Sequence, residues 1–194
     1  MDHADFDWGR SAGARILVTR LRYLGDVILT TPLIAALGRC FPGAEIWYMA
    51  EPPYASILEK HPGLSGVIEA GRGITAALAT VMKLRSLHFS VAIDLFYNPR
   101  SANILRLSGI PVRIGGGRRW RRRLYTDIFE PDTKIRSAIE HHLSALNILG
   151  CEAGGAGLPR VYLSEAEMAG GRSAVASAFG GTKPERTIAI HAGG

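Results

Sequence analysis

Short apolar runs alternate with longer amphipathic stretches along most of the chain. "RILVT" (Arg15–Thr19) is a continuous apolar run of buried-strand length, and "DVILTTPLIAALGRCF" follows with helical spacing. Within that helix Pro32 predicts a kink or a restart, and Asp26 stands where a capping residue would. The alternation continues. A strand is expected at 45–49, a short helix in "PPYASILEKHPG", a strand in "GVIEA", a helix over "GITAALATVMKLRSLHF" and a strand at 90–96. "PRSANILRLSG" reads as a helix stopped by Gly109, "PVRIGG" as a fifth strand, and "IRSAIEHHLSALNILG" as an amphipathic helix ending in glycine. Strands separated by helices in this way predict an α/β, Rossmann-like parallel sheet with helices on both faces.

Residues 1–14 read as a flexible N-terminal tail and 15–180 as the Rossmann-like domain. Near its end, "SEAEMAGGRSAVASAFGG" opens with Ser164 and Glu167 at capping-box spacing and reads as a helix. The final stretch, 181–194, reads as a linker running into "TIAIHAGG", a buried strand that opens a second α/β unit. A last strand completing the first sheet is the other reading.

Charge changes the picture at one place. The formal net charge is +6, and six arginines fall between Arg113 and Arg123, so one segment concentrates the excess. Such a patch suits an anionic partner. Cys40 and Cys151 form no metal-binding pattern and read as buried, reduced thiols. The acidic start, "MDHADFDWGRSAGA", is unlike a secretory signal, and no uncharged apolar run approaches the roughly 20 residues that span a bilayer. A cytoplasmic location is expected.

Asp26 lies where the first strand gives way to its helix, the end of an open α/β sheet at which ligands bind. It can cap the helix, act as a general base toward a hydroxyl, or do both. "RILVTRLRYLGDVILTTPLIAALGRCFPGAEIWYM" resembles the opening of glycosyltransferase family 9, the lipopolysaccharide heptosyltransferases. "DLFYNPRSANILRLSGIPVRIGGGRRWRRRLYT", "HLSALNILG" and "TIAIHAGG" are similar to later family segments. The resemblance covers about 15–150 and resumes at the end.

That resemblance implies the N-terminal, acceptor-binding half of a GT-B enzyme, in which two Rossmann-like lobes face each other across a cleft. It further implies inverting, metal-independent transfer of heptose from ADP-heptose to the Kdo-lipid A inner core. Asp26 is then the base, and Gly25 lets the donor phosphates approach its backbone. Arg118, Arg119, Arg121 and Arg122, with Arg100 after strand four, would bind the acidic acceptor. Arginine meets carboxylate and phosphate in bidentate fashion. Trp120 could stack on a sugar, lie at a headgroup plane or anchor its loop. No cofactor beyond the nucleotide sugar is implied, no metal site, and peripheral contact with the inner-membrane surface is compatible.

Two other functions stay open. A basic Rossmann-like module could bind nucleic acid or another anion without catalysis, although only Trp120 interleaves with the arginines. A dinucleotide-dependent oxidoreductase is disfavoured by the lack of Gly-x-Gly-x-x-Gly after the first strand. Asp94, Glu51, Tyr54, His141 and His142 receive no role from sequence.

Overall fold

The computed structural model describes residues 13–116, 120–129, 137–152, 154, 157–181 and 188. The chain forms two compact units, Met1–Val161 and Tyr162–Gly194.

In the first unit the apolar runs become β1 (Arg15–Thr19), β2 (Glu45–Ala50), β3 (Gly66–Glu69), β4 (Val91–Asp94) and β5 (Val112–Gly115). A two-residue β6 (Asp127–Ile128) completes the sheet, which is wholly parallel and ordered β3-β2-β1-β4-β5-β6. β1 lies at the centre, with Leu17 opposite Trp47 of β2 and Ala92 of β4. Strand alternation divides the core in two. Ile16, Val18, Tyr48 and Ile93 face one layer, and Leu17, Met49 and Ala92 face the other.

The first layer is covered by α1 (Leu24–Leu29), α2 (Thr31–Cys40), α3 (Pro52–Ala55) and α6 (Ala138–Leu143). α4 (Ile74–Leu87) and α5 (Pro99–Ser108) cover the second. The chain therefore has the expected Rossmann-like α/β fold, with helices on both faces. Gly109 ends α5 in the left-handed region, φ 78°, as its position suggested.

The restart expected at Pro32 occurs, and the helix divides into α1 and α2 because Pro32 has no N–H to give the Ile28 carbonyl. The Thr31 hydroxyl donates to that carbonyl instead, at 2.8 Å, and Thr30 Oγ1 donates to Val27 O at 2.7 Å. Asp26 does not cap: α1 begins at Leu24, its N-cap is Tyr23, and Asp26 sits in the first turn. The helix expected over 135–150 is regular only for Ala138–Leu143 among the described residues and tightens to a 3-10 turn over Ser144–Leu149. There Ser144 Oγ donates back to His141 O, a local bond that competes with helical continuation. Cys40 and Cys151 are joined in a disulfide, Cα atoms 6.1 Å apart, because the left-handed turn at Gly150 returns the chain to the end of α2.

The second unit contains α7 (Glu165–Ala178). Its capping box is formed as the sequence indicated. Ser164 Oγ accepts from Glu167 N at 3.2 Å, and Glu167 Oε2 accepts from Ser164 N at 2.7 Å. The strand expected in "TIAIHAGG" lies, apart from the exposed Ile188, outside the described residues.

Candidate functional site at the carboxyl edge of the sheet

β1 and β4 are neighbours, yet the helices that follow them leave to opposite faces of the sheet. This reversal opens a crevice beyond Thr19 and Asp94, where open α/β sheets hold ligands. Asp26 sits at its rim. The carboxylate is 36% exposed, and its Oδ2 accepts from Arg20 Nη2 at 2.5 Å. It is thus tied to the loop before its own helix and remains accessible on the other side.

Arg20 spans the crevice. Its Nη1 donates to Leu95 O at 2.7 Å, and its guanidinium lies 5.2 Å from the centre of the Phe96 ring. One side chain thereby fixes the loop after β1 to the loop after β4 and orients Asp26. Sequence reasoning missed Arg20, although its place one residue beyond a buried strand was a usable signal. Gly25 is exposed, and a Cβ built there would meet nothing within 4 Å, so the space above it is open.

Two groups without a sequence-assigned role also face this edge. The Tyr97 hydroxyl is 3.3 Å from His141 Nε2, and the His141 ring lies 4.8 Å from the Phe129 ring. Burial pushes Tyr97 up and His141 down, and the charge of Arg20 pushes His141 further the same way. His142 is buried beside α1, its Nδ1 3.4 Å from Leu29 O. Burial lowers it to about 4, so it is neutral at physiological pH. Among the described residues, no group of three His, Cys, Asp or Glu side chains could hold a metal ion.

Asp94 anchors the base of the arginine-rich segment. Fully buried, it accepts from Phe96 N at 2.9 Å and Tyr97 N at 3.3 Å through Oδ1, and from the Tyr125 hydroxyl at 2.7 Å through Oδ2. Burial raises this carboxyl, and the bonds it accepts work against that rise. The Tyr125 ring packs against Gly115, where an added Cβ would collide with it. Only glycine lets the ring reach Asp94 from this direction.

The predicted acceptor arginines do not share one environment. Arg118 and Arg119 lie outside the described residues. Arg121 opens a 3-10 turn (Arg121–Leu124), its guanidinium 5.7 Å from the centre of the Trp120 ring. Trp120 is exposed rather than anchored in the body, and Arg122 is exposed beside it. Arg100 points elsewhere. Its Nη1 donates to Glu51 Oε1 at 2.7 Å, and its Nη2 donates to Ala70 O at 2.8 Å and also to Gly71 O.

Glu51, only 1% exposed, is the centre of a charged hub at the end of β2. Arg22 Nε donates to it at 2.7 Å and Arg72 Nε at 2.9 Å, in addition to Arg100. Burial alone would raise its carboxyl, but the hydrogen bonds and charges of Arg72 and Arg22 prevail and hold it below the ordinary carboxylate range. The hub joins the loop after β1, the ends of β2 and β3, and the start of α5. Three cations around one anion leave this edge electropositive.

No family model matches the chain, and no curated protein matches it. Solved structures do. A family 9 glycosyl transferase from Veillonella parvula superposes with a TM-score of 0.74 at 25% identity, over 86% of this chain and 49% of that one. The ADP-heptose LPS heptosyltransferase II of E. coli gives 0.64 at 22% identity, over 85% and 50%. The E. coli heptosyltransferase WaaC, solved with ADP-2-deoxy-2-fluoro heptose, gives 0.62 at 19%, over 72% and 49%. The chain spans about half the length of each. It has the fold of family 9, heptosyltransferase-like glycosyltransferases, which are GT-B neighbours of this Rossmann-like sheet.

Proposed function

We propose that this chain is the acceptor-binding half of a family 9 glycosyltransferase that moves heptose from ADP-heptose to the Kdo-lipid A inner core. One observation carries the reading. A half-exposed carboxylate, Asp26, stands at the switch point of a sheet shared with solved heptosyltransferases. The donor is held by a facing lobe outside this half.

In the reaction, an acceptor hydroxyl oxygen bonds to the anomeric carbon from the face opposite the diphosphate. The bond from that carbon to the diphosphate oxygen breaks with its electron pair, ADP leaves, and the hydroxyl proton passes to Asp26. Configuration inverts, and no metal takes part. Arg20 supports the role by fixing the carboxylate from one side while leaving the other open. The open space at Gly25 leaves room for the donor diphosphate. Arg121 and Arg122, with Arg118 and Arg119, meet the acidic groups of the acceptor. Arg100 contributes through its charge and through the hub, because its donors already engage Glu51 and two carbonyls.

The test is turnover by a polypeptide in which a donor-binding lobe follows this half. General-base assistance typically supplies 10²–10⁴-fold. Asp26→Asn is expected to lower kcat by about a thousandfold while acceptor affinity stays within a fewfold, and chelators leave the wild-type rate unchanged. Wild-type turnover in the variant removes Asp26 as base.

A further inference from the structure

Cys40 ends α2, and Cys151 follows the left-handed turn at Gly150. They are the chain's only two cysteines. Their Cα atoms are 6.1 Å apart, within the roughly 4.4–6.8 Å that a disulfide spans without backbone movement. The folded backbone therefore suits the bonded and the dithiol form alike. The two sulfurs differ in their surroundings. Cys151 is 7% exposed and belongs to the first core layer, whereas Cys40 is half-buried at the margin of that layer. One is open to a reagent in solution, and the other is shielded behind it.

We propose that Cys40 and Cys151 form a reversible redox-modification site that exchanges with low-molecular-weight disulfides and thiols. In the oxidising direction the Cys40 thiolate attacks one sulfur of a small disulfide, whose S–S bond breaks and releases one small thiolate. The Cys151 thiolate then attacks Cys40 Sγ in the mixed disulfide, the protein's own bond closes, and the second small thiolate leaves. The two protons given up by the cysteines pass to the two leaving thiolates. Two electrons have then moved from the protein to the small disulfide. Reduction runs the same steps backwards, starting with a small thiolate at the accessible Cys40 sulfur.

The bond joins two limbs that both lead back to the crevice. α2 continues from α1, which carries Asp26, and the 3-10 turn before Gly150 continues from α6, which carries His141 and His142. His142 Nδ1, 3.4 Å from Leu29 O at the end of α1, adds a weaker contact between the same limbs. Beyond Cys151, Arg39 Nη2 donates to Gly154 O at 3.3 Å, and Arg160 N donates to Thr31 Oγ1 at 3.0 Å. Oxidation therefore locks α6 and the segment after it to α2, and reduction leaves them to non-covalent contacts. The inference stands on the two cysteines and their setting and does not require sugar transfer.

The 194-residue chain, equilibrated with oxidised glutathione and then with dithiothreitol, tests it by thiol counting, mass and thermal melting. The oxidised chain is expected to show no titratable thiol, and the folded, reduced chain both. The cysteines lie 111 residues apart, and closing so long a loop constrains the unfolded chain, so reduction should lower Tm by roughly 5–15 °C. Amide hydrogen exchange across 144–151 should quicken by roughly tenfold or more on reduction. In oxidised glutathione, Cys151→Ala should gain one glutathionyl group at Cys40, and Cys40→Ala should react roughly tenfold more slowly at the buried Cys151, both with the circular dichroism of the reduced chain. A bond that dithiothreitol opens only after the chain unfolds overturns the inference. So do two thiols that persist in oxidised glutathione, a Tm or an exchange rate that reduction leaves unchanged, or equal reaction of the two single variants.

Discussion

Replacing Glu51 with alanine leaves three guanidiniums converging on an uncharged pocket. The side chains of Arg22 and Arg100 are 30% and 22% exposed, so each loses a counter-ion in a partly desolvated place. Arg72, at 68%, is screened by solvent and contributes little, below about 1 kcal/mol. Removing one partner of a buried ion pair costs about 3–5 kcal/mol. With two partners only partly buried, the low end applies, near 3 kcal/mol. At about 2–4 °C per kcal/mol for a chain of this size, the melting temperature at pH 7 should fall by roughly 6–12 °C. Glu51→Gln, which keeps an acceptor, should lose about half as much, and Arg72→Ala under about 3 °C.

The same residue predicts a pH signature. Its folded carboxyl lies below the ordinary value of 4.5, so its contribution is complete above that value and is lost as pH falls through the lower folded one. Thermal unfolding followed by circular dichroism from pH 7 to pH 3 should therefore show the wild-type advantage over Glu51→Ala shrinking below about pH 4.5. A melting temperature for Glu51→Ala within about 2 °C of wild type at pH 7, or an advantage unchanged at pH 3, refutes the assignment of the hub as a stabilising lock.

Two further outcomes follow from buried groups. Tyr125→Phe deletes the hydroxyl that Asp94 accepts and leaves that oxygen buried without its partner, a loss of about 1–3 kcal/mol by thermal melting; an unchanged melting temperature would contradict it. His142 falls from 6.5 to about 4 on folding, so the neutral form's contribution is full above pH 6.5 and is lost as pH drops toward 4. His142→Gln should remove up to about 3 kcal/mol of acid-side destabilisation, read as a flatter melting profile between pH 6.5 and 4, and a profile parallel to wild type would contradict it.

The layered fold was legible because its signals are periodic. Buried parallel strands read as apolar runs, and Gly109 and Ser164 mark helix ends through local backbone chemistry. β6 carried no such signal, since two residues cannot display a period. The break between α1 and α2 was half legible: Pro32 announced it, but the hydroxyls of Thr30 and Thr31 that make it tolerable act through bonds invisible in a pattern. Of the two roles open to Asp26, the cap is not taken, because the helix begins two residues before it. The Glu51 hub joins residues 22, 51, 72 and 100, brought together only by the order of the sheet. The dense arginine run drew attention to 118–122, while Arg20, which holds Asp26, lies far from that run in the sequence. The disulfide joins positions 111 residues apart, a pairing that spacing alone does not disclose.

The proposed role of this chain is to receive the acceptor. Calorimetric titration of the 194-residue chain with a Kdo-lipid A headgroup, and in parallel with ADP-heptose, tests that most directly. Saturable binding of the headgroup with no heat from the nucleotide sugar is the predicted result, retained in Asp26→Asn. Tight binding of ADP-heptose with none of the headgroup would contradict it.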